Sequence, residues 1–438
     1  MRRIAVSMLL VATGSFPGLA AENQPFDPTA DVPAPPVQTL PAPLAPRAAM
    51  AEKDWRSAND TVGAFTRGHI DILRWEAENP PPSVMARMPE GEPLSSAAAV
   101  RTAFANRPDL FATEDMSSLE RARADIAAVT FAHDVQRAWI RAVAAEHGLR
   151  RTEEAFEAAD IAAELAARMT RVGNWGQDRL LREQLGLSDA GVGLAQVRQQ
   201  ALSAREALVR KLGLWGDGLD FPLPDALPAL PAQPLDVEGL EARALRAHPT
   251  LRLAAIEAER SRRGVASRSL AMWSEAIDAA LERAFAAQKD TENPLASPIQ
   301  GAPVLERRRL PAGHEAERAA KDQAKAAALA VTIRSQVREA YHQYRVAYDV
   351  ARRAEENARL AEALQEETLM RYNGMLKSTW DLLASARDRV ERADVATRAL
   401  GDFWLAHANL QAVLAGAEYP GPDASSVGAA GKADAGGH

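Results

Sequence analysis

The chain's eight histidines and its many carboxylates are the residues from which a metal or catalytic site would be built. The histidines are scattered, and pairs such as His342 with Tyr344, or His69 with Asp71, lack the spacing of a metal-ligand set. The sequence contains no serine nucleophile elbow, no glycine-rich phosphate loop and no framed pair of catalytic carboxylates. It therefore predicts a protein that is not an enzyme and that holds neither a metal nor a cofactor.

Two short stretches are more distinctive than any polar cluster. RVGNWGQDRLL (171–181) and RYNGMLKSTWDLL (371–383) both begin with Arg, contain Gly and Asn, and reach an Asp that two leucines follow. Asn and Gly tolerate left-handed backbone angles, so each stretch predicts a tight turn. A bulky residue at Gly374 is accordingly expected to strain its turn. Taken alone, both turns could also be ordinary loops of a helical bundle that contact no partner.

Helical patterns with heptad spacing flank both turns. Small and apolar residues recur at alternating spacings of three and four, as in these four series: Ala155, Ala158, Ala162, Leu165 and Met169; Leu187, Ala190, Leu194, Val197, Ala201, Ala204 and Leu208; Ile333, Val337, Ala340, Tyr344, Ala347, Ala351, Ala354, Ala358 and Ala361; and Leu383, Ala386, Val390, Ala393, Thr397, Leu400 and Trp404. Such seams pack helices against each other as coiled coils. Each turn is therefore predicted to join an antiparallel helical hairpin, with Ala, Leu and Val in the core because only 5% of the residues are aromatic.

The hairpins read as two copies of one unit. AFANRPDLF (103–111) is echoed by ALRAHPTLR (244–252), and a proline-rich connector separates the copies. The predicted helical domain, 51–417, divides into repeat 1 at about 95–215, the connector at 216–236 and repeat 2 at about 237–417.

The two ends of the chain differ in composition from the helical domain. Residues 1–21 combine Arg2 and Arg3, a short apolar run and a small-residue cleavage site, which predicts a signal peptide and export. A proline-rich leader is predicted at 22–50 and a disordered tail at 418–438. The net charge of −7 does not suggest a nucleic-acid-binding protein.

These features together resemble the TolC-like outer-membrane efflux protein family. The resemblance is carried by the duplicated hairpin, the helix signals NRPDL and HPTL, the connector LPDALPALP, the turn RYNGMLKS and the N-terminal segment RGHIDILRWEAENP, and it covers most of residues 51–417. It implies a mainly α fold of duplicated long antiparallel coiled-coil hairpins, with four strands of each protomer in a β-barrel that crosses the outer membrane. In this chain little or no β-strand is expected, because of the repeat lengths described below. It also implies a homotrimer whose helices enclose a periplasmic tunnel leading to the cell outer membrane.

In such a protein the hairpin tips meet a periplasmic adaptor, which links them to an inner-membrane pump. The matching tip residues here are Val172, Gly173, Asn174, Tyr372, Asn373, Gly374 and Ser378. Asp178 and Asp381 follow the tips, where rings of carboxylates could act on cations in the pore.

The two repeats differ in length, which bears on the membrane-spanning part that the resemblance implies. The span from Pro108 to Arg171 is about half as long as that from Pro249 to Arg371, and it leaves no room for a pair of membrane strands. The second repeat has room at 270–313, but the first part of this segment reads as helix, and Arg307–Arg309 would place an arginine in lipid at a cost of about 2–4 kcal/mol. A reduced or absent β-barrel is expected, and a barrel-less periplasmic scaffold or interaction protein of the same fold is the alternative function.

Overall fold

A computed structural model describes most of the chain. The described residues are 92–215, 219, 221–286 and 301–421. The predicted signal peptide, the proline-rich leader and nearly all of the predicted tail lie outside them, as does the quoted N-terminal segment 67–80.

The described part is 78% helical, and no strand occurs in it, which confirms the predicted fold class. Its eight α-helices are α1 (Ser96–Ala105), α2 (Ser118–Arg171), α3 (Gln177–Leu212), α4 (Leu240–Ala247), α5 (Pro249–Arg262), α6 (Ser267–Ala286), α7 (Glu315–Asn373) and α8 (Thr379–Ala415). Two single turns of 3₁₀-helix lie at Pro108–Leu110 and Arg307–Arg309.

Helices α2 and α3 form the first hairpin. Lys211, near the end of α3, forms an ion pair with Asp134 in the first third of α2 at 2.7 Å. Arg205, earlier in α3, pairs with Glu146, which lies later in α2, also at 2.7 Å. Because the partners run in opposite order, the two helices are antiparallel, as the heptad series predict.

Helices α7 and α8 form the second hairpin around a cluster of aromatic rings. The ring centroids of Tyr344 and His407 are 5.8 Å apart, and those of Tyr348 and Phe403 are also 5.8 Å apart. The later residue of α7 therefore meets the earlier residue of α8, so this hairpin is antiparallel as well. Tyr344 and Phe403 are fully buried, and Tyr344 is a member of the predicted seam.

The two hairpins pack side by side through α2 and α8. His133 of α2 and Asn409 of α8 are 2.9 Å apart between Nε2 and Oδ1 in the buried interface. At 3.6 residues per turn, Asp134 and Glu146, which pair with α3, bracket the opposite side of α2 from His133. The helices therefore lie in the order α3, α2, α8, α7, and α3 and α7 are the edge helices of this layer.

The connector runs across one face of the layer. Leu223 and Leu227 are buried in the core of the first hairpin. The Trp404 Nε1 donates a hydrogen bond to the carbonyl oxygen of Pro228 at 2.8 Å, and the Tyr348 hydroxyl donates to that of Pro231 at 3.1 Å. Proline has no N–H, so the connector can bond to the helices at these positions only through its carbonyl oxygens. The Trp404 and Tyr348 side chains donate hydrogen bonds to them.

The repeated HP and NRP motifs make equivalent contacts in the two repeats. Gly213 ends α3 with φ 70° and Gly416 ends α8 with φ 102°, a backbone region that favours glycine. A Cβ on Gly416 would lie 2.7 Å from Cδ of Pro249, and a Cβ on Gly213 would lie 3.1 Å from Cβ of Asn106. Each HP or NRP motif thus packs against the glycine that ends the last helix of its own repeat.

The additional length of the second repeat forms α5, α6 and the segment that follows them. α5 packs against α7, and α6 is one continuous helix from Ser267 to Ala286, as the sequence of this segment indicated. Residues 287–300 are outside the described part, and 301–313 contain the arginine turn at Arg307–Arg309. In the first repeat, by contrast, α2 begins eight residues after the turn Pro108–Leu110.

Candidate functional site: the hairpin tips

The first tip is a tight turn in which glycine is required. α2 ends at Arg171, and Gly173 follows with φ 80°, in the left-handed region. The N–H of Asn174 donates to the carbonyl oxygen of Met169 at 3.0 Å, which closes the end of the helix. Val172, Gly173 and Asn174 are all exposed, so the three residues predicted for this tip lie at its surface.

The second tip is built differently from the expectation. Tyr372 and Asn373 are the last residues of α7, and Gly374 has φ −80°, which any residue can adopt. The left-handed residue is Met375, with φ 59°. A Cβ on Gly374 would lie 3.5 and 3.6 Å from the carbonyl oxygens of Arg371 and Met370 and 3.9 Å from Cδ1 of Leu376, all of which are ordinary contacts. The expected backbone strain at Gly374 was therefore wrong; the strained residue of this tip is its neighbour Met375.

Ser378 and Asp381 form a capping box that starts α8. The Ser378 Oγ accepts a hydrogen bond from the N–H of Asp381 at 3.2 Å, and the Asp381 carboxylate accepts from the N–H of Ser378 at 2.9 Å. Hydrogen bonds from the Ser378 backbone and then its hydroxyl hold the pKa of Asp381 below its ordinary value. Asp381 is therefore ionised at neutral pH and orders the turn.

Asp178 has a different environment from Asp381. It lies in the first turn of α3, and its side chain is 72% exposed and 3.7 Å from the Arg182 guanidinium. The predicted pair of pore carboxylates thus consists of one helix-capping group and one solvent-exposed group. The assignment of either to a pore stays a prediction.

An arginine between two tryptophans brings the tips together. The Arg179 guanidinium lies 4.7 Å from the ring centroid of Trp175, in the first tip, and 5.0 Å from that of Trp380, just after the second. Such contacts are favourable because the face of an indole ring is electronegative. Both tips therefore lie at the same end of the molecule, next to each other.

An ion pair with a buried carboxylate also joins the two hairpins near the tips. Glu183 of α3 is only 3% exposed, and its carboxylate accepts a hydrogen bond from Arg387 of α8. The Arg387 guanidinium also lies 5.6 Å from the Trp380 ring centroid. Sequence reasoning missed this pair, although Glu183 stands four residues before Leu187 and thus extends the α3 heptad series toward the tip.

The outer surface of the tips is apolar as well as exposed. Val172 is 67% exposed, Leu376 is 78% exposed and Met375 is 94% exposed. Large apolar side chains that are this exposed on adjacent turns form a surface that a partner protein can cover.

Two further features of the described residues bear on chemistry and on the membrane. Among the described residues, no group of three or more histidine, aspartate or glutamate side chains is placed to hold a metal ion. None of the described helices combines the length and the apolar character needed to cross a bilayer.

Comparisons with known proteins give similarity of structure only. No protein-family profile matches the chain, and no curated protein matches it. The solved structures that it resembles include the outer-membrane channel OprN (16% identity, 74% of this chain and 73% of that chain, TM-score 0.46). They also include the outer-membrane protein VceC of Vibrio cholerae (13%, 74% and 75%, TM-score 0.46) and a membrane protein of Pseudomonas aeruginosa (13%, 75% and 73%, TM-score 0.47).

These matches are to the same class of protein, outer-membrane channels, that the sequence motifs resemble. With identities of 13–16% and TM-scores below 0.5, they carry no functional argument of their own. Function has to be inferred from the chain's hairpins, tips and edges.

Proposed function

We propose that this protein is the periplasmic-tunnel or outer-membrane component of a tripartite efflux system, working as a homotrimer with a periplasmic adaptor and an inner-membrane pump. The observation that carries the proposal is the pair of adjacent, exposed, apolar hairpin tips at one end of a layer of four helices. Such an end suits a helical partner that delivers substrates, and no catalytic group is required.

The edge helices supply the second line of support, because they carry apolar rows that no element of the described part of the chain covers. On α3 the row is Leu181, Leu185 and Val192; on α7 it is Val346, Val350, Leu360 and Leu364. All are between 48% and 65% exposed. The α3 row points away from α2, since its members lie about half a turn from the buried seam.

Two residues of each row lie at similar heights above the tips. At 1.5 Å per residue, Leu185 is about 12 Å from the start of α3, and Leu364 is about 14 Å from the end of α7. Val192 and Leu360 match similarly, at about 22 Å and about 20 Å. Contact of one copy's α3 with the next copy's α7 is head-to-tail, and such contacts form a ring when the rotation between successive copies closes.

Photocrosslinking tests the tip assignment in cells. A photoreactive residue at Met375 is expected to crosslink a periplasmic adaptor protein, identified by mass spectrometry of the product. The control is the same residue at Val304, which is 75% exposed but lies in the segment between α6 and α7, near neither tip. Equal crosslinking from both positions, or none from Met375 while the deletion strain loses efflux, contradicts the tip assignment.

The second candidate is a periplasmic scaffold or interaction protein of the same fold. It is favoured by the helical state of α6, in the segment that the resemblance assigns to membrane strands. Cell fractionation distinguishes the two. Mature protein that is released with the periplasmic fraction, from cells whose efflux is unaffected by its deletion, supports the scaffold; protein retained with the outer membrane supports the efflux component.

A further inference from the structure

A cluster of four arginines stands at the end of the molecule opposite the hairpin tips. Three of them form the 3₁₀ turn Arg307–Arg309, and the fourth is Arg283, near the end of α6, which packs against that turn. The turn lies just before the start of α7. Because α7 has 59 residues, it runs for about 88 Å from there to the second tip. The cluster is therefore remote from the adaptor contact proposed above.

A single carboxylate is shared by three of the four arginines. The Glu306 carboxylate lies 3.3 Å from the Arg283 guanidinium and 3.0 Å from each of the guanidinium groups of Arg308 and Arg309. Arg307 is exposed and forms no ion pair with any carboxylate of the described residues. Four positive charges thus stand against one negative charge, which leaves an excess of three.

Glu306 holds the cluster together without neutralising it. The hydrogen bond from Arg308, with a further one from Arg309, holds the pKa of Glu306 below its ordinary value, so this residue contributes one full negative charge at neutral pH. Both of its oxygens are engaged, since Arg283 contacts Oε1 while Arg308 and Arg309 contact Oε2. The three guanidinium groups are therefore gathered around one point although they repel one another.

Neighbouring acidic residues do not balance this excess. Those of α6 lie about 80–140° around the helix from Arg283 and form no ion pair with the cluster in the part of the chain that the structure describes; they are Glu275, Asp278 and Glu282. At the start of α7, Glu317 is paired with Lys321 at 2.6 Å. The Arg308 side chain is 79% exposed, so the excess charge faces solvent and attracts anions.

We propose that the arginine turn and Arg283 bind a phosphate-bearing anion that carries two or more negative charges. The planar fork of a guanidinium group donates two hydrogen bonds to phosphate oxygens, and this cluster presents several such forks within one turn and the adjoining helix end. The phosphate can belong to a free compound or to a lipid headgroup, since both present the same chemistry. The site uses neither the tips nor the edge rows, so it stands whether or not the efflux proposal does.

Calorimetric titration of the mature protein at low ionic strength tests the site, with inorganic pyrophosphate as the probe. Acetate supplies a single carboxylate for comparison, and dihexanoyl phosphatidic acid supplies a lipid phosphate. One pyrophosphate per chain is expected to bind at least tenfold more tightly than acetate, and more weakly as the salt concentration rises. Tighter binding of the phosphatidic acid than of pyrophosphate would assign the site to a lipid headgroup and retain the proposal.

The variant Arg308→Gln is expected to weaken pyrophosphate binding about fivefold, as the loss of one exposed charge partner predicts. The matched control is Arg359→Gln in the middle of α7. The Arg359 side chain is 72% exposed and also contacts a carboxylate, that of Glu355 at 2.8 Å, but it does not share this carboxylate with other arginines. This control is expected to leave binding unchanged.

Replacing all three residues of the turn by glutamine is expected to abolish detectable pyrophosphate binding while circular dichroism shows an unchanged helix content. Failure of the unaltered protein to bind either phosphate compound, equal affinity for acetate and pyrophosphate, or equal effects of Arg308→Gln and Arg359→Gln would overturn the proposal.

Discussion

Gly416 is the residue where backbone angle and packing constrain the chain together. Its φ of 102° disfavours any side chain, and a Cβ would come within 2.7 Å of Cδ of Pro249. Gly264, with φ 92°, has nothing within 4 Å of the same position. Comparing the same substitution at the two glycines therefore separates the free-energy cost of the backbone angle from that of the steric clash.

We expect Gly416→Ala to lower the free energy of unfolding more than Gly264→Ala. The shared backbone strain costs about 1–2 kcal/mol, and the clash at the joint between α8 and α5 adds about 1–3 kcal/mol at Gly416 alone. Urea unfolding followed by circular dichroism measures both. Equal losses in the free energy of unfolding would mean that the contact between α8 and α5 accommodates the new methyl group without cost.

The ion pair between Glu183 and Arg387 is asymmetric, because Glu183 is 3% exposed whereas the Arg387 side chain is 46% exposed. Removing the arginine leaves a buried carboxylate without its cation, whereas removing both charges leaves an apolar contact.

Arg387→Met is therefore expected to lower the free energy of unfolding by about 1–3 kcal/mol, reduced from the fully buried case because Arg387 is partly in water. The double variant Glu183→Leu with Arg387→Met is expected to recover much of this loss. Urea unfolding of both variants makes the test. A double variant less stable than Arg387→Met would contradict this expectation, because removing the buried Glu183 carboxylate would then not relieve the loss.

At the scale of elements, local sequence patterns predict well the features that depend on neighbouring residues, namely the helices, their buried faces and most turns. The heptad series around Leu194 and Tyr344 specify long helices and their buried faces, and both residues are buried. Gly173 was predicted to form a turn and has the left-handed angle. At Gly374 the prediction failed, because the residue before and the residue after a glycine can take up the same reversal, and here Met375 does so.

Contacts between helices distant in sequence were beyond these patterns. The stacking of Arg179 on Trp380 and the pairing of Glu183 with Arg387 depend on how one hairpin is placed against the other. A single sequence fixes the face of each helix but not its register against a helix about 200 residues away.

The capping boxes at Ser117 and Ser378 offer a matched pair of helix starts. Both serines accept a hydrogen bond from the residue three positions on, Glu120 or Asp381. Only Ser378 lies at a hairpin tip; Ser117 starts α2 at the other end of the hairpin.

Ser378→Ala and Ser117→Ala are each expected to lower the free energy of unfolding by about 1 kcal/mol. Only Ser378→Ala is expected to reduce the crosslinking of Met375 to the adaptor, because it releases the turn that positions Met375. Crosslinking yields normalised to folded protein give the comparison. Equal reductions in crosslinking yield from both variants would show that lost stability alone explains the effect. Ser378 would then have no specific role in the contact with the adaptor.

At the scale of the whole molecule, the layer of four helices ends at two edges that a single copy leaves exposed. Leu185 on α3 is 65% exposed, and Leu364 on α7 is 55% exposed. A lone layer would present both apolar rows to water, whereas a ring of copies covers every row with its counterpart.

The chain has no cysteine, so introduced pairs report contacts without interference. Leu185→Cys combined with Leu364→Cys is expected to give covalent dimers and trimers under mild oxidation, and no larger species, because the proposed homotrimer is a closed ring. Ile161→Cys combined with Leu364→Cys is the control, since Ile161 is 65% exposed but lies on α2, away from both edges. Denaturing electrophoresis reads the result. A ladder that continues past the trimer, or equal ladders from the two pairs, would contradict the closed three-copy arrangement.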